Sequence, residues 1–403
     1  MAENRILFLA PASIPVNGAE SIVNLKLIKL LISKGYEIDL ISKKYKWDHY
    51  PVSRYDDLLS SLSSATVLEV DNHFGVKALW YHLRAWLRFG VLFKGIHWAY
   101  LASKKVESLI AEKDYKCVIT KNIPSEVVGY WIMRRYRIPW IATWNDPYPH
   151  ERYPEPYGKG PSTRLALFKK PLISQMSSAD AHIFPSGRLR DYMLSYLNCD
   201  INKTFVISHI VESVAGCPKQ RDGILNICYI GNLDGPRKPW TLLEAISIVK
   251  NRCIDNAMRV DFVGTTPVNM CDVIKEKGID DIVNILPPVS YNESLKLMSR
   301  YDVALIIEAP CKEGVFLPAK VSDAMAAGIS IFAVSPGDGV LHDMYTNGYI
   351  QFFSDVTKVD SIVNEMMRLI DLFNSNQLKK PLIPEEYKSD FIGCQYDNII
   401  EML

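Results

Sequence analysis

Two stretches carry the residues best suited to chemistry. The first, Gly231-Asn-Leu-Asp-Gly-Pro-Arg-Lys-Pro-Trp240, follows the expected strand Asn226–Ile230 and precedes a helix expected from Thr241. Its adjacent cations Arg237 and Lys238 suit a diphosphate, because arginine offers a planar fork and lysine a compact charge. The second runs from Glu308 to Gly328 and reads E-A-P-C-K-E-G-V-F-L-P-A-K-V-S-D-A-M-A-A-G. The apolar run Val303–Ile307 ends just before it, Pro318 opens a helix of small residues, and Gly328 closes that helix. A strand that ends in a polar loop and a helix N-terminus binds anions, since free backbone N–H groups and the helix dipole face the ligand. Both loops are expected at the same edge of one sheet, so Arg237, Lys238 and the helix at Pro318 converge on one ligand.

The N-terminal half has weaker candidates. Pro15-Val-Asn-Gly18 lies at the first turn of a βαβ opening, where open α/β sheets place ligands. Gly18 either lets a substrate approach the backbone or is simply a turn glycine. Trp144-Asn-Asp-Pro-Tyr148 follows the strand Pro139–Thr143, so Asn145 and Asp146 stand at a strand's carboxyl end. Asp146 either serves the site or caps a turn through Pro147. Ser186 reads as an N-cap for Gly187–Leu197.

Positioning these residues takes alternating strands and helices. Strands are expected at Arg5–Ala10, Tyr36–Ser42, Cys117–Thr120, Pro139–Thr143, Ala181–Ser186 and Thr204–Ile210. After a linker at Val211–Asp222, a second series follows at Asn226–Ile230, Arg259–Val263, Ile282–Leu286, Val303–Ile307 and Ile329–Val334. Alternation of this kind implies parallel sheets covered on both faces. The length of 403 residues exceeds what one core usually serves, so two domains are expected. No Gly-x-Gly-x-x-Gly is present, and no apolar stretch reaches the ~20 residues of a membrane span. The N-terminus resembles a first buried strand more than a signal peptide. The eight cysteines are scattered without metal spacing and are expected to be reduced cytosolic thiols.

Charge is uneven along the chain. Residues 1–215 hold 28 Lys and Arg against 20 Asp and Glu, a net of +8, and the remainder has a net of −7. The basic half suggests an anionic partner there. Residues 73–105 hold six Lys and Arg, eight Phe, Trp and Tyr, and no acid. Such helices can lie at a bilayer interface, or they can be half-buried helices whose arginine stems cover core.

With I-G-N-L-x-x-x-R-K from Ile230, D-F-V-G from Asp261, Y-D-V-A-L-I from Tyr301 and L-P-A-K-V-S-D-A-M-A-A-G from Leu317, the chain resembles family-4-like retaining glycosyltransferases of the GT-B fold. The resemblance implies an α/β architecture of two Rossmann-like parallel-sheet domains facing a central cleft. It sets an acceptor-binding domain at residues 1–215, a nucleotide-sugar-binding domain at 216–385, and a C-terminal helix, 386–403, crossing back to the first domain.

The resemblance also assigns roles. Lys238 matches the family's phosphate-binding lysine. Asn232 stands where the family has an arginine, so Arg237 is expected to substitute. Asp323 takes the place of the ribose-binding glutamate, and Val315 the place of the other carboxylate, with Glu313 the nearest replacement. Lys320, Leu317 and Pro318 lie near the phosphates. The base is expected by Gly264 and Val289, with Tyr291 either stacking on it or packing at a helix start. Gly18 and Gly231 complete the donor set. Arg237, Lys238 and Asp146 are the expected catalytic residues, and Asn145 and Asp146 the acceptor contacts.

No metal and no cofactor are expected. The co-substrate is a nucleotide-diphosphate sugar, with UDP or GDP as the expected nucleotide. The expected partners are that donor, a glycan or lipid-linked acceptor and a membrane surface met through residues 73–105, with no nucleic acid. A cytoplasmic location on the membrane's inner face follows. The alternatives are a sugar-nucleotide epimerase of the same fold and a non-catalytic nucleotide-binding scaffold at the membrane.

Overall fold

A computed structural model of the chain describes residues 4–14, 18–44, 62–70, 76–164, 169–212, 223–252 and 257–403. The chain divides into two compact units. The first comprises Met1–Tyr153, Gly160–Ile210 and Ser389–Leu403, and the second Pro154–Lys159 and Val211–Lys388.

In the first unit, β1 (Arg5–Leu9), α1 (Ala19–Ser33), β2 (Glu37–Lys43) and β3 (Ser64–Leu68) are followed by α2 (Val76–Phe89) and α3 (Ile96–Glu112). Then come β4 (Cys117–Lys121), α4 (Ser125–Tyr136), β5 (Trp140–Thr143), α5 (Lys170–Met176), β6 (Ala181–Phe184), α6 (Gly187–Leu194) and β7 (Thr204–Val206). The strands form one parallel sheet in the order β3-β2-β1-β4-β5-β6-β7. β1 pairs from Arg5↔Glu37 to Leu9↔Ile41 on one side, and from Ile6↔Cys117 on the other. β1 and β4 are near-continuous apolar runs because both sheet faces are covered, and Ile6, Leu7, Phe8, Val118 and Ile119 are wholly buried.

The second unit contains β8 (Leu225–Ile230), α7 (Trp240–Arg252), β9 (Met258–Val263), α8 (Met270–Glu276), β10 (Val283–Leu286) and α9 (Tyr291–Met298). It continues with β11 (Val303–Ile307), α10 (Ala319–Ala327), β12 (Ser330–Ser335), α11 (Val340–Thr346), β13 (Phe352–Asp355) and α12 (Val359–Asn374). Its sheet is again all parallel, ordered β10-β9-β8-β11-β12-β13. Apolar clusters cover both faces, one under α7 and α12 and the other under α10 and α11. The five residues of β11 are all buried, each aliphatic contributing about 1.5–3 kcal/mol. The chain closes with α13 (Ser389–Met402) in the first unit, packed on α1 through Lys34–Asp397 at 2.9 Å.

Three expectations need correction. The strand expected at Thr204–Ile210 stops at Val206, because β6, its only neighbour among the described residues, ends at Phe184 and the last bond is Ile207 N–H to the Phe184 carbonyl. Pro318 is the N-cap of α10 with extended ψ, and Ala319 is its first residue. The edge strands β3 and β13 were not anticipated: β3 has no buried residue and alternates half-buried with exposed ones, and β13 has four residues. The turn at 15–17, the start of the basic segment at 73–75 and most of the linker at 213–222 lie outside the described residues.

Candidate functional site

Both sheets wind outwards in two directions from a central strand, and open α/β sheets bind ligands beyond the strand ends where that direction reverses. In the second unit the reversal lies between β8 and β11. The loops leaving these strands are the two stretches that carry Arg237 and Lys320.

Glycine builds the first of these loops. Gly231 and Gly264 have φ of +134° and +131°, which disfavour any side chain. A Cβ on Gly264 would overlap the Gly231 carbonyl oxygen. A Cβ on Gly231 would overlap the Lys320 side chain and stand 2.8 Å from its Nζ. The bare backbone thus lets Lys320 reach from α10 across the end of β8, where its Nζ lies 5.3 Å from the Tyr229 ring centre. The Tyr229 hydroxyl donates to the Asn232 carbonyl at 2.9 Å.

Arg237 is tied down. Its Nε donates to Glu308 Oε2 at 3.2 Å, and its guanidinium lies 5.7 Å from the Tyr157 ring centre. The Tyr157 hydroxyl donates to the same Glu308 oxygen at 3.4 Å. Burial raises the Glu308 carboxyl above its usual range, opposed by Arg237 and Lys320. Burial lowers Lys320, and the charge of Arg237 lowers it further. Two cations therefore share one buried carboxylate, a balance that favours an added anion. Lys238 is exposed on the same loop.

The remaining candidates of this unit are spread along neighbouring loops. Asp323, on α10, accepts from the Tyr291 hydroxyl at 2.7 Å. Tyr291 opens α9 behind a capping box of Ser290 and Glu293, and Val289 is half-buried just before it. Leu317 and Val315 are buried, whereas Glu313 is half-buried. Glu308, Tyr157 and Tyr229 were absent from the expected set. Glu308 had one local signal, as the first polar residue after an all-apolar strand.

In the first unit the reversal lies between β1 and β4. Asn122, at φ 59°, bridges the elements there. Its Nδ2 donates to Glu20 Oε1 at 2.8 Å, and its Oδ1 accepts from Asn145 N–H at 3.4 Å. Burial and the neighbouring Asp146 raise Glu20 to about 7. Glu126 is wholly buried and pushed up by burial, and its Oε1 has no hydrogen-bond partner. Burial lowers Lys121 to about 8. Lys121 and Asn145 line a cavity of about 30 Å³, room for about two waters and too small for a sugar. Gly18 is exposed at the start of α1 with extended backbone, so nothing there demands glycine. Glu20, Lys121, Asn122 and Glu126 also escaped the sequence reading. Among the described residues no group of three or more His, Cys, Asp or Glu is placed to hold a metal.

The basic segment divides in two. α3 is core, with Trp98 wholly buried and Tyr100 nearly so. On α2, Arg88 turns inward to Ser103 and Glu107, while Leu79, Trp80, Leu83, Trp86 and Leu87 are exposed. No described helix is long and apolar enough to cross a membrane.

Residues 16–213 match the family described as Glycosyltransferase Family 4. Curated protein sequences give no match. Among solved structures, sucrose-phosphate synthase from Thermosynechococcus elongatus aligns over 99% of this chain and 98% of its own, at 12% identity and a TM-score of 0.68. TarM from S. aureus, in complex with fondaparinux, alpha-GlcNAc-glycerol and UDP, aligns over 98% and 99% at 12% identity and 0.65. HepE from Anabaena, in complex with UDP and glucose, aligns over 99% of each chain at 14% identity and 0.63. At such identities these likenesses show the fold. Residues 16–213 thus match Glycosyltransferase Family 4, and the chain as a whole has the GT-B fold of these glycosyltransferases.

Proposed function

We propose that the second unit holds a nucleotide-diphosphate sugar, UDP- or GDP-linked, and that the sugar passes to a glycan or lipid-linked acceptor with retention of configuration. The observation that carries this reading is the pair of cations, Arg237 and Lys320, sharing one carboxylate at the switch point of a doubly wound sheet. A diphosphate placed there gains charge-assisted hydrogen bonds and the N-terminus of α10. HepE, solved with UDP and glucose on the same fold, supports the donor class. Lys238 adds charge for the departing phosphate, which itself takes the acceptor's proton. Asn145 and Asp146 of the first unit receive the acceptor, and synthesis of cell-surface polysaccharide or glycoconjugate is the setting. No metal or cofactor is called for in this reading.

Thermal shift with UDP-, GDP- and ADP-sugars tests the donor. Ligand at about 100 times its Kd stabilises by about 2.7 kcal/mol, raising Tm by about 5 °C or more. No shift with any nucleotide would leave a scaffold role, and consumption of donor without an acceptor an epimerase.

The exposed face of α2 supports contact with the cytoplasmic membrane surface. Leu79 is 71% exposed and Trp86 48%, with Arg84 stacked on Trp80 at 3.3 Å. Flotation with phosphatidylglycerol vesicles should recover the protein, and Leu83→Ser with Trp86→Ser should reduce recovery. Equal recovery without vesicles contradicts the contact.

A further inference from the structure

Glu308 has no assigned part in ligand binding, yet it bonds Arg237 and its charge acts on Lys320. It follows β11 directly and is 6% exposed. Both of its side-chain hydrogen bonds, from Arg237 and from Tyr157, fall on Oε2, and Oε1 accepts none. Tyr157 is itself held edge-on against Phe316, ring centres 5.2 Å apart. The carboxylate is thus fixed through one oxygen while the other keeps its lone pairs.

A carboxylate only accepts hydrogen bonds, so its partner must donate. The phosphates of a bound donor cannot fill that role, because they are acceptors of like charge. The transferred sugar can, through its hydroxyls. The other nearby position on this loop, Val315, is wholly buried and apolar.

Building on the donor site proposed above, we infer that Glu308 is a specificity-determining residue whose Oε1 accepts hydroxyl hydrogen bonds from the transferred sugar, while Oε2 keeps Arg237 turned to the diphosphate. A sugar lacking the matching hydroxyl leaves Oε1 without a donor, a loss that sites of this kind discriminate against.

The test is calorimetric titration of the full chain with UDP, GDP and ADP, alone and carrying glucose, galactose or N-acetylglucosamine. At least one conjugate should bind the wild type about tenfold tighter than its bare nucleotide. Glu308→Gln should reduce that sugar increment, the ratio of conjugate to bare-nucleotide affinity, about fivefold or more, whatever its effect on the bare nucleotide. An unchanged increment overturns the inference, as does a wild type without one. Equal losses for nucleotide and conjugate also overturn it, by reducing Glu308 to a positioning residue for Arg237. If no nucleotide binds the wild type, the donor site itself is wrong and the inference falls with it. Should Glu308→Gln fail to fold, Glu308→Asp keeps the charge opposite Arg237 but withdraws the oxygens by one methylene. The same losses are expected of it and the same results overturn the inference.

Discussion

The two sheets are wound alike, and each gathers polar side chains where its winding reverses, but cations lead in one and carboxyl groups in the other. In the second unit Arg237 and Lys320 share Glu308. In the first, Glu20 accepts from Asn122, Glu20 and Glu126 act on Lys121, and Asp146 acts on Glu20. The bulk charges run the other way: the half with a net of +8 has the acidic switch point, and the half with −7 has the cationic one. Topology selects the place, and a few local residues select the ligand. Whole-domain charge is a poor guide to either site. The cationic point suits a diphosphate, whereas the carboxylates and amides of the other suit a hydroxyl-bearing acceptor.

The comparison can be broken where the loops differ most. Gly264→Ala should have the largest effect, since its Cβ would overlap the Gly231 carbonyl at positive φ. A loss of about 3 kcal/mol is expected, lowering Tm by about 6–12 °C. Differential scanning fluorimetry reads this directly, and an unchanged Tm would remove the rigid glycine pair from the account.

Glu20→Gln sharpens the other side. The folded carboxyl titrates at about 7 rather than its ordinary 4.5. The folded state therefore holds the proton more tightly, and stability falls as pH rises from 4.5 through 7. Lys121, lowered to about 8, acts in the opposite sense, with stability rising above that pH, so the measurement stops at pH 8. The substitution should raise Tm at pH 8 by about 2–4 °C, discounted for partial exposure, and leave it unchanged at pH 4. A difference independent of pH would contradict the assigned protonation. The smallest effect is expected of Gly18→Ala, within about 0.5 kcal/mol by denaturant unfolding, because the backbone is extended and the space open.

The strands that position the donor loops were legible because β11 is an unbroken apolar run and β8, β9 and β12 are mostly apolar, each between turn residues. The same signal failed for β3 and β13, whose shortness and partial exposure leave little pattern to read. Motifs along the chain pointed to the GT-B fold, and the structural likenesses bear that out. The polar networks were not legible. Glu126 stands in the first turn of α4, where a carboxylate usually faces water and the helix dipole, yet it is wholly buried. Tyr157 meets Glu308 across 151 residues of sequence. Trp98 and Trp86 look equivalent in an acid-free basic segment, and only packing shows that one is core and the other exposed.

The central claim is that the cations at the β8–β11 switch point bind a nucleotide diphosphate. Calorimetric titration of UDP and GDP into the wild type and into Lys238→Met with Lys320→Met tests it most directly, since this pair leaves Arg237 bonded to Glu308. One nucleotide should bind the wild type, and the double variant should lose about 100-fold in affinity with its unliganded Tm nearly unchanged. A wild type that binds neither, or a variant that binds equally well, would contradict the account.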